Sequence, residues 1–67
     1  MLKIGLLGAG RIGQVHAKAI SAHPDSQLVA IGDVNEAASS ALAKSYGAEM
    51  RNVEDIIKDP DIDAVLI

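Results

Sequence analysis

Three glycines and one aspartate carry the clearest chemistry in this sequence. Gly8-Ala9-Gly10-Arg11-Ile12-Gly13 follows the pattern G-x-G-x-x-G, directly after the apolar run Leu2 to Leu7. Where a strand turns into a helix, the first glycine of this pattern permits a tight turn. The second lets backbone approach a diphosphate with no Cβ between, and the third lets helix and strand pack closely. The N–H groups from Gly10 to Gly13 then face an anion with the positive end of the helix dipole behind them. Such a loop needs no dedicated lysine, so Arg11 and Ile12 count for their backbone N–H groups.

Asp33 lies 20 residues past Gly13, at the end of the apolar run Gln27 to Asp33. In a dinucleotide-binding unit this position meets the adenosine ribose, where a carboxylate accepts hydrogen bonds from hydroxyls and repels a 2′-phosphate. Neither Val34 nor Asn35 offers the cation that such a phosphate needs. Asp33 and Val34 are therefore the predicted adenosine end of the site, and NAD is expected in preference to NADP. Plainer readings stand beside these: the glycines as turn punctuation, and Asp33 as the cap of the next helix. FAD and S-adenosylmethionine are lesser alternatives, because their proteins more often end the second strand in Glu or carry a tighter G-x-G-x-G.

Other polar residues are expected to be structural. His16 falls one turn into the first helix, and His23 precedes Pro24 at its end, where a histidine interacts favourably with the dipole. Glu54, Asp55, Asp59, Asp61 and Asp63 are dense in acids but lack calcium-loop spacing, so no metal site is expected.

The elements that must position these residues follow from periodicity. Leu2 to Leu7 is almost continuously apolar, the pattern of a strand buried on both faces. From Arg11 to the stop at Pro24 the pattern is helical, with Ile12, Val15, Ala19 and Ala22 as its apolar stripe. Gln27 to Asp33 is a second strand. Asn35 caps a helix over 36–46 whose face is Ala38, Ala41, Leu42 and Ser45, and Gly47 closes it. A shorter helix over 53–58, capped by Asn52, turns Val53, Ile56 and Ile57 inward, and Asp63 to Ile67 forms a third strand. Alternation of this kind gives right-handed crossovers and a parallel sheet. The predicted fold is α/β: half of a doubly wound Rossmann fold, a βαβαβ three-stranded sheet in the order 3-2-1, occupying residues 1–67 as one unit. The other half of the fold would lie against the first strand.

Composition excludes several other classes. The chain has 67 residues, a net charge of −3, no cysteine and a single aromatic residue, Tyr46. Nucleic-acid backbones need neutralising cations and stacking needs aromatic platforms, so nucleic acid is not an expected partner. No apolar run approaches the roughly 20 residues of a membrane span, and the N-terminus lacks signal-peptide features. The expected location is the cytoplasm. At this length a lone core supplies only about 3 to 5 kcal/mol, and without cysteine neither disulfides nor a Cys-bound zinc can staple it.

With the motif in place, KIGLLGAGRIGQVHAKAI, LVAIGDVN and DIDAVLI resemble the start of the Gfo/Idh/MocA oxidoreductase family. Within it the likeness is nearest to the bacterial inositol 2-dehydrogenases. It covers the whole chain, which would be about the first fifth of such a protein. The resemblance implies Gly8, Gly10, Arg11, Ile12 and Gly13 at the diphosphate and Asp33 with Val34 at the adenosine. It also implies NAD-dependent oxidation of a polyol, myo-inositol above all, with the catalytic lysine, aspartate and histidine in later segments and no catalytic residue here. The polyol substrate would then be a partner only of a longer parent. The competing expectation is a nucleotide-binding or scaffold module without hydride chemistry. A truncated sheet would also leave Lys3 to Leu7 as an open edge, predicting self-association of two first strands into a six-stranded sheet.

Overall fold

In the computed structural model, which describes all residues from 1 to 67, the first apolar run forms β1 (Leu2–Leu7), followed by α1 (Arg11–Ala22) and β2 (Ser26–Gly32). Next come α2 (Glu36–Tyr46), β3 (Glu49–Met50), α3 (Val53–Lys58) and β4 (Ala64–Leu66). All pairings are parallel, and the sheet order is β3-β2-β1-β4.

The fold class is the Rossmann-type α/β arrangement expected, but the sheet has four strands rather than three. The predicted third strand, Asp63 to Ile67, contains β4 and lies beside β1, with Ile4 opposite Ala64 and Leu6 opposite Leu66. The place beside β2 is taken by β3, where Ala30 faces Glu49 and Ile31 faces Met50. Handedness accounts for the step across. Leu6, on one sheet face, packs in a cluster with Ala17, Ile20 and Leu42 of α1 and α2. Gly5 and Gly32 lie against Ile56 of α3 on the other. Helices on one face carry successive strands from β1 towards β3, so a right-handed crossover through a helix on the opposite face must return past β2 and β1. β1 is therefore an interior strand, and the edge expected at Lys3 to Leu7 is paired with β4 from Ile4 to Leu6. The open edge on that side belongs to β4.

The core is aliphatic and centred under α1 and α2: Leu6, Ala17, Ile20, Leu28, Ile31, Leu42 and Ala43 are all buried. Full burial of a Leu or Ile side chain contributes about 1.5 to 3 kcal/mol. A register shift between Ile4 and Gly5 puts Leu28 opposite Ile4 but Ala30 opposite Gly5. It therefore turns both Leu28 and Ile31 towards this cluster.

Helix faces differ from the expected stripes. In α1 the buried residues are Gly13, Ala17 and Ile20, whereas Ile12 and Val15 are 66% and 60% exposed and Ala19 and Ala22 are exposed too. Both sets obey helical spacing; the small pair Gly13 and Ala17 allows closer approach to the sheet than the bulkier set would. In α2 the buried face is Ser39, Leu42 and Ala43, leaving Ala41 and Ser45 exposed. In α3 only Ile56 is buried; Val53 is half-buried and Ile57 exposed.

Candidate dinucleotide-binding site

The glycine loop lies between β1 and α1, and each of its glycines has a different reason to be there. Gly8 has φ +112°, which side chains rarely adopt, and its N–H donates to the Gly32 carbonyl at 2.8 Å, extending the β1–β2 ladder. A Cβ on Gly13 would run into the Gly8 carbonyl, so the start of α1 can approach the end of β1 only with hydrogen at this position. Gly10 is under neither constraint. Its φ is −76°, and nothing lies within 4 Å of where a Cβ would stand. The fold does not require glycine at position 10; a ligand approaching the backbone there would.

The start of α1 is also open in the chemical sense. Gly10 is its N-cap and supplies no side-chain hydrogen bond, and the first turn holds no acid. The first intrahelical bond runs from Gln14 N–H to the Gly10 carbonyl at 2.9 Å, and the N–H groups of Arg11, Ile12 and Gly13 donate to nothing in the protein. Unpaired donors at a helix start, aligned with the dipole, form an anion site.

Asp33 stands immediately past β2, half-buried, with its carboxylate between two backbone donors. Oδ2 accepts from the Ala9 N–H at 2.6 Å and Oδ1 from the Asn35 N–H at 3.0 Å. These bonds, Asn35 first and then Ala9, hold the carboxyl below the usual aspartate range despite partial desolvation. The aspartate thus adjoins the glycine loop, as the sequence spacing predicts. Capping of α2 falls instead to Asn35, whose side chain accepts from Ala38 N–H at 3.2 Å. Val34 is 98% exposed beside Asp33, available to a ligand and unused by the core.

A cavity of about 330 Å³ adjoins Asp33, walled by Val34 and Glu36 on one side and Met50, Asn52 and Val53 on the other. Sequence reasoning missed this second wall because the strand that places it, β3, has only two residues, both exposed. Arg51, which follows β3, lines the same cavity but is bonded to Asp59, with Glu49 4.0 Å away. That pairing holds Asp59 below and Arg51 above their ordinary pKa values.

The remaining candidates lie apart from the loop. Asp63 accepts from the Lys3 N–H at 2.8 Å, and no three His, Cys, Asp or Glu side chains gather into a metal-holding group. His23 is the C-cap of α1, and its Nδ1 accepts from Asp25 N–H at 3.1 Å. His16 is half-buried within α1. No helix is long and apolar enough to cross a membrane.

Known proteins place this geometry in a family. Residues 2–67 match the Gfo/Idh/MocA model, described as an oxidoreductase family with an NAD-binding Rossmann fold. The inositol 2-dehydrogenase of Rhizobium meliloti (strain 1021) is 53% identical over 66 residues, covering 98% of this chain and 20% of that protein. A solved structure from Sinorhizobium meliloti 1021 superposes with a TM-score of 0.95 at 52% identity, over 97% of this chain and 20% of that one. The myo-inositol dehydrogenase of Lactobacillus casei, solved with NAD(H) and myo-inositol, superposes with a TM-score of 0.89 at 28% identity, with the same coverage. The chain therefore spans about a fifth of the length of these relatives. The match spans the glycine loop, the open helix start and the aspartate just past β2, and the chain belongs to the Gfo/Idh/MocA oxidoreductase family, within its NAD-binding Rossmann fold.

Proposed function

We propose that the chain forms the diphosphate- and adenosine-binding part of an NAD-dependent polyol dehydrogenase that oxidises myo-inositol at a ring hydroxyl. The observation that carries the binding half is Gly10, a glycine with ordinary backbone and empty surroundings, placed among N–H groups that have no acceptor. The substrate half is supported by the likeness to inositol 2-dehydrogenases. NAD supplies the hydride acceptor when bound. The chain's own residues bind and orient: Gly8 makes the turn that aims the loop, its N–H held by the Gly32 carbonyl, while Gly10, Arg11, Ile12 and Gly13 present backbone N–H groups to the diphosphate and Asp33 with Val34 meets the adenosine. No residue of this chain is assigned a proton or hydride step in this reading.

Amide nitrogen–proton NMR of the chain, titrated with NAD and separately with NADP, tests the binding half. Resonances of Gly8 to Gly13 and Asp33 should move under NAD and much less under NADP; equal responses, or none, would overturn it. The substrate half is tested on the protein extended to the length of its relatives, by NADH formation with myo-inositol and with glucose 6-phosphate. NAD binding without turnover of any polyol would favour a nucleotide-binding module instead.

A further inference from the structure

Charge alone is one way for an aspartate to refuse a 2′-phosphate, but a mobile carboxylate can swing aside. Asp33 is tied at both oxygens, Oδ2 to the Ala9 N–H at 2.6 Å and Oδ1 to the Asn35 N–H at 3.0 Å. We propose that this two-point clamp fixes Asp33 as a gate, making the backbone N–H groups of Ala9 and Asn35 determinants of NAD-over-NADP selectivity. The inference rests on the reading of the site as an NAD site.

The donor and acceptor count fits one ligand. An ionised carboxylate offers about four acceptor positions. Two are taken by backbone, which leaves two for the two hydroxyls of an unmodified ribose. A 2′-phosphate brings negative charge and removes one of those donors. The clamp also blocks the usual escape. The terminal torsion of aspartate is broad and ordinarily easy to turn. Here a turn would break bonds to two separate segments, the glycine loop before α1 and the turn before α2. One of the abandoned donors would be the N–H of Ala9, a residue only 3% exposed, and an unpaired buried donor is costly. Compensation by a cation is blocked as well. Arg51 lines the adjoining cavity, yet its guanidinium is engaged by Asp59 and flanked by Glu49.

A matched pair of variants isolates the clamp. Asn35→Ala and Asn35→Pro both lose the side chain that caps α2, but only proline also lacks the N–H that binds Asp33. Asn35 has φ −88°, close to the proline range, and its own carbonyl bond from Ser39 N–H is unaffected. With NAD and NADP affinities measured by titration of each variant, Asn35→Pro should narrow the NAD/NADP ratio by about tenfold relative to Asn35→Ala, the scale of one charge-assisted hydrogen bond. The same ratio in both variants, with NAD still bound, would overturn the clamp alone. Failure of the unaltered chain to bind either nucleotide would remove the NAD reading, and this inference with it. A second measurement covers the case in which Asn35→Pro does not fold. In the unaltered chain the amide protons of Ala9 and Asn35 should shift together on acidification, with one midpoint; independent behaviour would show that no shared carboxylate holds them.

Discussion

α1 and α2 stand side by side on the same sheet face, yet their N-termini are finished in opposite ways. α2 begins with Asn35, whose side chain takes the Ala38 N–H, and carries Glu36 in its first turn. α1 begins with Gly10, without a side-chain cap or a first-turn acid. Against glycine an asparagine cap is worth roughly a few tenths of a kcal/mol and a first-turn acid about 0.3 to 1 kcal/mol, so α1 forgoes stability that α2 takes. The difference teaches that the donors of α1 are left free where those of α2 serve the fold, as the proposed diphosphate site requires.

The largest effect expected from disturbing this contrast is at Gly13. Gly13→Ala sets a Cβ against the Gly8 carbonyl, backbone against which nothing flexible can yield. Overpacking of this kind costs about 1 to 3 kcal/mol, and relief would come from lifting α1 away from β1. Both stability and NAD affinity should fall, in denaturant unfolding and in titration; a variant that kept both would show that the loop tolerates a shift.

Gly10→Asp would turn α1 into a copy of α2. The backbone there is ordinary and the space is empty, so an aspartate can cap the helix and satisfy donors that the proposed site offers to a diphosphate. Thermal unfolding should rise by the equivalent of about 0.5 to 1 kcal/mol, while NAD affinity falls by at least about tenfold, the scale of one lost charge-assisted contact. Stability and binding moving in opposite directions at one residue is the signature of a reserved site; a parallel loss of both would assign Gly10 to the fold. The converse change, Asn35→Ala, removes the side-chain cap of α2 while leaving Glu36 in its first turn, and should lower stability by about 1 kcal/mol in the same assay.

How far the sequence reveals these features depends on what encodes them. The span of α2 is legible because Asn35 and Gly47 bracket it, and Gly47 takes the left-handed conformation at φ 67° that residue type suggests. Gly8, Gly13 and Asp33 are legible from spacing, since their roles attach to residue identity. β3 is not: Glu49 and Met50 are two exposed residues with no apolar alternation, held by pairing to Ala30 and Ile31. The position of β4 is hidden for a different reason. It depends on which face α3 covers, and that follows from the fit of Gly5 and Gly32 to Ile56, residues distant in sequence. The ties on Asp33 come from backbone N–H groups, which every residue but proline possesses, so no residue type announces them.

The smallest effect separates the site from the scaffold by pH. Asp33 and Asp59 both have carboxyls held below their ordinary value of 3.8, the first by backbone N–H groups and the second chiefly by Arg51. A carboxylate whose pKa is depressed by folding adds stability that is complete above the unfolded value and disappears as pH falls through the folded one. Unfolding midpoints should therefore decline as pH drops below about 4. Asp33→Asn removes one contribution and Asp59→Asn the other. The difference between each variant and the unaltered chain should be greatest near neutrality and shrink towards acid pH. If Asp33 serves binding more than folding, its difference should be the smaller in unfolding and the larger in NAD affinity, with the reverse order for Asp59. An Asp59→Asn variant that weakened NAD as much as Asp33→Asn would show that the Arg51 pairing, and with it the β3–α3 wall of the cavity, belongs to the site after all.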